Sequence, residues 1–190
     1  MSKLEIFEQG WPGKDTVCGW GSQLEHTGNI RHSLPRIIDR HNIRSINDAG
    51  CGDLFWIKTI LNPNFDYCGY DLYSRSTWDA LRKEGWKLEI ADITKDMLRV
   101  ADLTIVRDVF IHLPNNLVLD SLDRLRQSTK YLLATNFVRN EDEAVIVDNF
   151  NRTSGASLKH SKLNLSYPPF GLGKPLLVIP EDYPFKNTSL

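Results

Sequence analysis

The stretch SINDAGCGDLFW, residues 45–56, places two glycines where a short strand should end. Glycine allows a sharp backbone turn and lets a ligand approach the backbone closely. Gly50 and Gly52 enclose a cysteine, and the carboxylates of Asp48 and Asp53 stand on either side of the turn. We therefore expect a ligand-binding turn at the carboxyl end of a strand.

The composition indicates one soluble globular domain. The chain has 190 residues, of which 41% are hydrophobic and 25% charged, with a formal net charge of −1. This balance creates no overall field that would draw the protein to nucleic acid or to an anionic membrane. The first residues show no signal-peptide pattern, and no apolar run reaches the length of a membrane span, so we expect a cytoplasmic protein with no membrane partner.

The cysteines and histidines give no sign of a metal site. Cys18, Cys51 and Cys68 lack C-x-x-C spacing, and the five histidines are scattered. A disulfide framework and a zinc site are therefore not expected, and the cysteines are interpreted as reduced, partly buried thiols.

From about residue 44 onward, short apolar strands alternate with amphipathic helices. Strands are predicted over 44–50, 67–71, 86–92, 101–108, 130–137 and 174–181. Helices are predicted over 55–61, over 74–84 with Ser74 or Ser76 as the cap, and after Pro114 with Asn115 as the cap. This alternation predicts an α/β fold, a mostly parallel sheet with helices on both faces.

The first 43 residues stand outside that alternation. The stretch GNIRHSLPRIIDRHNI predicts a helix with one apolar face, formed by Ile30, Leu34, Ile37 and Ile38. Its other side is basic, which suits either a phosphate contact or an ordinary solvated face; the residues are Arg31, Arg36, Arg40 and His41. We expect residues 1–43 to form an N-terminal lid segment and helix on a core of residues 44–190, within one compact domain.

The residues around the glycine turn favour a cationic ligand. A dinucleotide site requires G-x-G-x-x-G, but the third position here is Phe55, and no G-x-x-x-x-G-K-[ST] segment for phosphate is present. The carboxylates of Asp48 and Asp53 would repel a pyrophosphate. S-adenosylmethionine carries a sulfonium and an ammonium group and no phosphate, so it fits this turn better.

Acidic residues also end the next three strands. Asp71 stands about 20 residues after the glycines, where an acid can accept hydrogen bonds from ribose hydroxyls. Asp92 ends the third strand, where a carboxylate can accept from an adenine amino group. Arg107 and Asp108 end the fourth. Taken singly, each acid is typical of a turn or a helix cap, but together they predict one site beyond the carboxyl ends of the strands.

These motifs resemble those of the class I (Rossmann-like) S-adenosylmethionine-dependent methyltransferases. More closely, their order is similar to that of a group of small stand-alone methyltransferases. The matching segments are GWGS (19–22), DAGCGD (48–53), RDVFIHL (107–113), YLL (131–133) and LNLSYPPF (163–170), and the likeness covers about residues 17–180. Residues 139–162 depart from the pattern near the expected acceptor side, so the identity of the methyl acceptor does not carry over.

The resemblance implies an enzyme with a Rossmann-like methyltransferase sheet, an N-terminal helical lid and S-adenosylmethionine as its cofactor. Gly50 and Gly52 would lie against the methionine portion, and Asp48 would orient the ammonium group. Asp71 would hold the ribose, and Asp92 with Ile93 would frame the adenine. The remaining candidates near the cofactor are Asp53, Trp56 and Arg107.

Methyl transfer to a hydroxyl also needs a base that takes the proton. Asp108 and His112 follow the fourth strand and are the candidates, although His112 could equally be a packing or capping residue. Trp20, Tyr167 and Phe170 are candidates for contact with the acceptor. SYPPF invites comparison with the [DNS]-P-P-[YFW] motif of DNA amino-methyltransferases, but Tyr167 stands where that motif has its short polar residue, so a substrate-facing loop and a plain proline turn both remain open.

Three functions remain open from the sequence. The first is methyl transfer to an oxygen or nitrogen atom of a small polar or glycan-like metabolite, favoured by the small net charge. The second is methylation of a DNA or RNA base, favoured by the basic helix and by the aromatic residues of 167–170. The third is a non-catalytic protein that binds S-adenosylmethionine and acts through partners.

Overall fold

A computed structural model describes residues 15–137, 163–181 and 187–190. Within these ranges, seven strands form one sheet in the order β3-β2-β1-β4-β5-β7-β6. The strands are β1 (Ser45–Ala49), β2 (Asp66–Asp71), β3 (Lys87–Ile90), β4 (Ala101–Val106), β5 (Thr129–Asn136), β6 (Val178–Pro180) and β7 (Asn187–Ser189). The first five are parallel, and β7 runs antiparallel to both β5 and β6. The predicted mostly parallel α/β sheet is confirmed.

Three α-helices lie in the described ranges, and the starts of the second and third differ from the sequence predictions. They are α1 (Gly28–His41), α2 (Trp78–Lys83) and α3 (Asn115–Ser128). Thr77, not Ser74 or Ser76, precedes α2. Pro114 is the N-cap of α3 because its extended backbone (φ −67°, ψ 157°) lies just outside the helix, and Asn115 is the first helical residue.

Two further elements are shorter than predicted. The predicted helix over 55–61 is a 3₁₀ turn at Ile57–Thr59. The predicted strand over 174–181 pairs with β7 only at Val178–Pro180. Just before this strand, two more backbone hydrogen bonds join the chain to Leu190. The Leu176 amide donates to the Leu190 carbonyl, and the Leu190 amide donates to the Leu177 carbonyl.

The core consists of two layers, one on each face of the sheet. Ile30, Leu34 and Ile37 of α1 are buried on one face, where Ile38 packs partly buried at the margin. Val118, Leu122 and Leu125 of α3 are buried on the other face. Full burial of such side chains contributes about 1.5–3 kcal/mol each. This packing confirms that helices cover both faces.

The end of α1 turns the chain into the sheet. Asn42 adopts the left-handed conformation with φ 52°, and its amide donates to the carbonyls of Ile38 and Asp39. The chain then enters β1 between β2 and β4, so Ala49 and the glycine turn emerge at the middle of the sheet. None of the helices in the described ranges is long and apolar enough to cross a bilayer.

Candidate functional site

The glycine turn follows β1 directly and requires glycine at two positions. Gly50 and Gly52 have φ values of 87° and 60°, which L residues with side chains adopt at a cost. A Cβ atom on Gly50 would lie 2.2 Å from Cγ2 of Val109, and one on Gly52 would lie 2.2 Å from Sγ of Cys18. The turn is therefore closely packed between the chain after β4 and the N-terminal segment.

Asp48, in β1, is buried beside this turn. Its carboxyl accepts a 2.8 Å hydrogen bond from the hydroxyl of Tyr67 in β2. Burial raises the pKa of Asp48 from 3.8 to about 7, the negative charge of Asp71 adds to the rise, and the Tyr67 hydrogen bond and the Arg107 charge oppose it. A cation placed next to this buried carboxyl group would stabilise its charged form.

Asp71, at the end of β2, contacts the turn itself. One carboxylate oxygen accepts a 3.0 Å hydrogen bond from the Gly52 amide. The carboxylate also pairs with the guanidinium of Arg75 at 3.3 Å. On the other side of the same glycine, the indole nitrogen of Trp78 donates to the Gly52 carbonyl at 2.7 Å. The structure thus joins Asp71 and the glycine turn into one unit.

Asp92 lies just beyond β3 and closes a small turn. Its carboxylate accepts hydrogen bonds from the amide and hydroxyl of Thr94, at 2.9 and 2.6 Å, and pairs with Lys95 at 2.9 Å. Partial burial acts to raise the pKa of Asp92, but the Thr94 hydrogen bonds and the Lys95 charge outweigh it and lower the pKa. Asp92 is therefore ionised at neutral pH, and Ile93 beside it is partly buried.

Asp53 connects the glycine turn to the N-terminal segment. Its carboxylate accepts hydrogen bonds from the Thr16 hydroxyl at 2.7 Å and the Val17 amide at 3.2 Å. The Cys18 thiol lies 3.4 Å from the other oxygen, which also accepts from the Phe55 amide at 3.1 Å. These contacts give Asp53 an anchoring role, and its contact with the cofactor stays a prediction.

Arg107, directly after β4, is also engaged within the protein. Its guanidinium makes two hydrogen bonds to Glu181, at 3.0 and 2.5 Å, and donates to the Gly21 carbonyl at 2.5 Å. It lies 3.3 Å from the Asp108 carboxylate and 5.7 Å from the ring of Trp56. Trp56 is itself buried. Arg107 thus connects separate parts of the chain, and its contact with the cofactor stays a prediction.

Asp108 has an uncommon backbone conformation and is hydrogen-bonded to Thr135. Its φ is 60°, which is uncommon for a residue with a side chain. The Asp108 amide donates to the Thr135 hydroxyl at 2.9 Å, and that hydroxyl donates to the Asp108 carboxylate at 3.0 Å. Its side chain is 23% exposed. His112 ends the 3₁₀ turn Phe110–His112 and is partly buried.

The aromatic residues of the predicted acceptor side differ in exposure. Trp20 is 56% exposed and Tyr167 is 52% exposed. Phe170 is 4% exposed because it packs into the core on the α3 face. Of the two rings around the prolines, Tyr167 is therefore the exposed one.

Sequence reasoning missed four residues that support the site. Arg75 stands only four residues after Asp71, and this short separation could have indicated the ion pair. Tyr67, Trp78 and Glu181 had no such signal, because their partners are 19, 26 and 74 residues away in the chain.

Comparison with solved structures identifies the fold. The pyocyanin biosynthetic protein PhzM aligns with 86% of this chain, at a TM-score of 0.60 and 16% identity. Human N-acetylserotonin methyltransferase in complex with SAM aligns with 85% of this chain, at a TM-score of 0.56 and 16% identity. The chain spans about half the length of these two proteins, covering 54% and 51% of them.

A third structure is closer in length. Magnesium protoporphyrin IX methyltransferase (ChlM) from Synechocystis PCC 6803 with bound SAH aligns over 98% of this chain and 90% of its own, at a TM-score of 0.60 and 12% identity. No protein-family model and no curated protein matches the sequence. The chain therefore has the Rossmann-like fold of the class I S-adenosylmethionine-dependent methyltransferases, as its motifs predicted.

Proposed function

We propose that this protein is an S-adenosylmethionine-dependent methyltransferase. The observation that carries the proposal is the placement of three carboxylates, Asp48, Asp71 and Asp92, at or next to the carboxyl ends of three adjacent parallel strands. In open α/β sheets, ligands bind beyond these strand ends. The fold shared with known methyltransferases supports the same function.

The residues present fit this cofactor. Gly50 and Gly52 let the backbone turn sharply at the strand end, with Val109 and Cys18 packed where their Cβ atoms would lie. Asp48 is buried beside a second carboxylate, which favours a cationic group and disfavours a phosphate. S-adenosylmethionine satisfies both requirements through its ammonium and sulfonium groups.

Each acid has a distinct proposed role. Asp48 would hold the ammonium group, Asp71 would accept hydrogen bonds from the ribose hydroxyls, and Asp92 with Ile93 would bind the adenine. When bound, the cofactor supplies a methyl group activated by the adjacent positive sulfur. The protein contributes alignment of the acceptor with that methyl group, which accounts for a large part of the rate in reactions of this kind.

Asp108 is the residue best placed to receive the acceptor's proton. It follows the central strand β4, its carboxylate is partly exposed, and Thr135 fixes its orientation. His112 is the second candidate for this role. We propose an oxygen or nitrogen atom of a small polar or glycan-like metabolite as the acceptor, because the net charge of −1 provides no general attraction to polyanions.

A nucleic-acid acceptor is the second candidate function, and one observation favours it. Arg36, Arg40 and Arg44 are exposed in or just after α1. Arg31, which the sequence placed on the same basic side, donates to the Leu24 carbonyl at 2.9 Å and to the Thr27 hydroxyl at 3.2 Å, so part of that side has a structural role.

Two measurements test the proposal. Calorimetry should detect binding of S-adenosylhomocysteine and only weak binding of NAD. Tight NAD binding without a response to S-adenosylhomocysteine would contradict the proposal.

A transfer assay with labelled cofactor and pools of metabolites, glycans, DNA and RNA should identify the acceptor class. Binding of S-adenosylhomocysteine without transfer to any pool would favour a non-catalytic binding protein. Loss of DNA or RNA binding at raised salt would mark the nucleic-acid alternative.

A further inference from the structure

Arg107 joins three distant parts of the chain at the edge of the proposed cofactor site. It follows β4, its partner Glu181 lies 74 residues later, and Gly21 lies 86 residues earlier. The side chain of Arg107 is 4% exposed and that of Glu181 is 0% exposed. Thr188 in β7 donates its hydroxyl to the Glu181 carboxylate, which connects this ion pair to the sheet.

The Gly21 carbonyl belongs to a short loop, residues 19–23, which we call the GWGSQ loop. Within it, the Ser22 amide donates to the Gly19 carbonyl and the Gln23 amide donates to the Trp20 carbonyl, both at 3.1 Å. The residue before the loop, Cys18, contacts the glycine turn through Gly52 and Asp53. The loop therefore starts beside the turn, and Arg107 binds its middle.

We propose that Arg107 is a positioning residue, which uses its ion pair with Glu181 to hold the GWGSQ loop and the exposed Trp20 beside the glycine turn. The guanidinium is suited to this because one rigid planar group can bond a carboxylate with two nitrogens and still donate to a carbonyl. Glu181 compensates the buried charge of Arg107, since an unpaired buried arginine would be strongly destabilising. The claim that the loop's position affects turnover rests on the proposed function. The structural link between Arg107 and the loop does not depend on that function.

Hydrogen exchange of single amides tests the link without any ligand. Arg107→Lys keeps the charge but loses the planar group that bonds Glu181 with two nitrogens and Gly21 as well. In this variant the Ser22 and Gln23 amides should exchange about tenfold faster than in the wild type, because the loop opens more often. The amides of β4, such as those of Leu103 and Ile105, should be much less affected. Unchanged exchange at Ser22 and Gln23 in the folded variant would overturn the proposal.

Arg99→Lys is the matched control. Arg99 also makes several bonds, to the Asp66 carboxylate at 2.8 Å and to the Ile46 carbonyl at 3.1 Å, but at the amino-terminal end of the sheet. This variant should leave Ser22 and Gln23 unchanged. Equal acceleration in both variants would mean general destabilisation and would overturn the positioning role.

A measurement on the wild type covers the case in which Arg107→Lys fails to fold. If the Arg107 bond holds the loop, the Ser22 and Gln23 amides should be protected about 100-fold relative to an unfolded peptide, and near-random exchange would refute the link. Adding S-adenosylhomocysteine should slow these amides further. If it does not bind, the proposed function fails while the Arg107 link can still be confirmed.

Discussion

The Tyr67 hydroxyl donates a hydrogen bond to the buried carboxyl group of Asp48, at 2.8 Å and across two neighbouring parallel strands. Tyr67 is 2% exposed and Asp48 is 3% exposed, so little water reaches this pair. The hydrogen bond stabilises the charged form of Asp48, whereas burial and Asp71 oppose it. The balance leaves a carboxyl group whose ionisation is easily influenced by a bound cation.

Cofactor binding should weaken as the pH falls below neutrality. Burial raises the pKa of Asp48 to about 7, and binding of an ammonium group requires the ionised form. The affinity for S-adenosylmethionine should therefore drop about tenfold between pH 7.5 and 6, measured by calorimetry. The Asp48→Asn variant should bind S-adenosylmethionine weakly, with an affinity that depends little on pH. In Tyr67→Phe, the pH at which the affinity falls should be higher than in the wild type. An affinity of the wild type that is constant over this range would refute the role of Asp48.

The same pKa shift affects the stability of the cofactor-free protein. Between pH 3.8 and about 7 the unfolded chain loses the Asp48 proton while the folded protein retains it. The contribution of Asp48 to the free energy of unfolding should thus decrease as the pH rises through this window. Urea denaturation of the wild type and of Asp48→Asn at several pH values measures the difference, and identical pH profiles would contradict the shift.

Asp71→Ala should weaken cofactor binding by about 1–3 kcal/mol, the usual effect of losing hydrogen bonds to a charged group. The variant should also lose some stability, because the Gly52 amide and the Arg75 guanidinium lose a partner, so binding is compared at a temperature where it is folded. Asp79→Asn is the control, since Asp79 is an acid on α2 with a side chain that is 91% exposed. Calorimetry should show normal binding for the control, and normal binding by a folded Asp71→Ala protein would exclude Asp71 as the ribose ligand.

Gly52→Ala should destabilise the protein more than Gly171→Ala. Both glycines have nearly the same φ, 60° and 61°, so both substitutions carry a similar backbone cost of about 1–2 kcal/mol. Only at Gly52 would the new Cβ atom meet a neighbour, Sγ of Cys18 at 2.2 Å, whereas nothing lies within 4 Å at Gly171. Urea denaturation should therefore show the larger loss for Gly52→Ala, and Cys18→Ala should recover part of it. Equal losses would show that the N-terminal segment does not pack against the turn.

Trp20→Ala should reduce methyl transfer without lowering stability. A side chain that is 56% exposed contributes little to the folded state, so the melting temperature should hardly change. Leu24→Ala, in the same segment and 36% exposed, should leave both stability and turnover unchanged. Unaltered turnover in Trp20→Ala would remove Trp20 from the acceptor side.

The sequence alone predicted the order of elements and the kind of site. The alternation of short apolar strands with amphipathic helices and the helical spacing of Ile30, Leu34 and Ile37 are local features of the sequence, so they can be recognised without knowing the fold. The acids at the strand ends were found for the same reason, because parallel strands bring their carboxyl ends to one edge of the sheet. Motif order alone was enough to indicate the methyltransferase fold.

Only the tertiary structure decided what each charged group contacts. The sequence did not indicate that Asp53 would bond Thr16, or that Arg107 would bond Glu181 and Gly21. Phe170, expected at the acceptor, is buried in the core. Hydrogen bonds and burial depend on which distant segments meet, and this is set by packing of the whole chain. The residue pattern near a strand end predicts where a site lies, whereas the contacts of each side chain there depend on which distant segments pack against it.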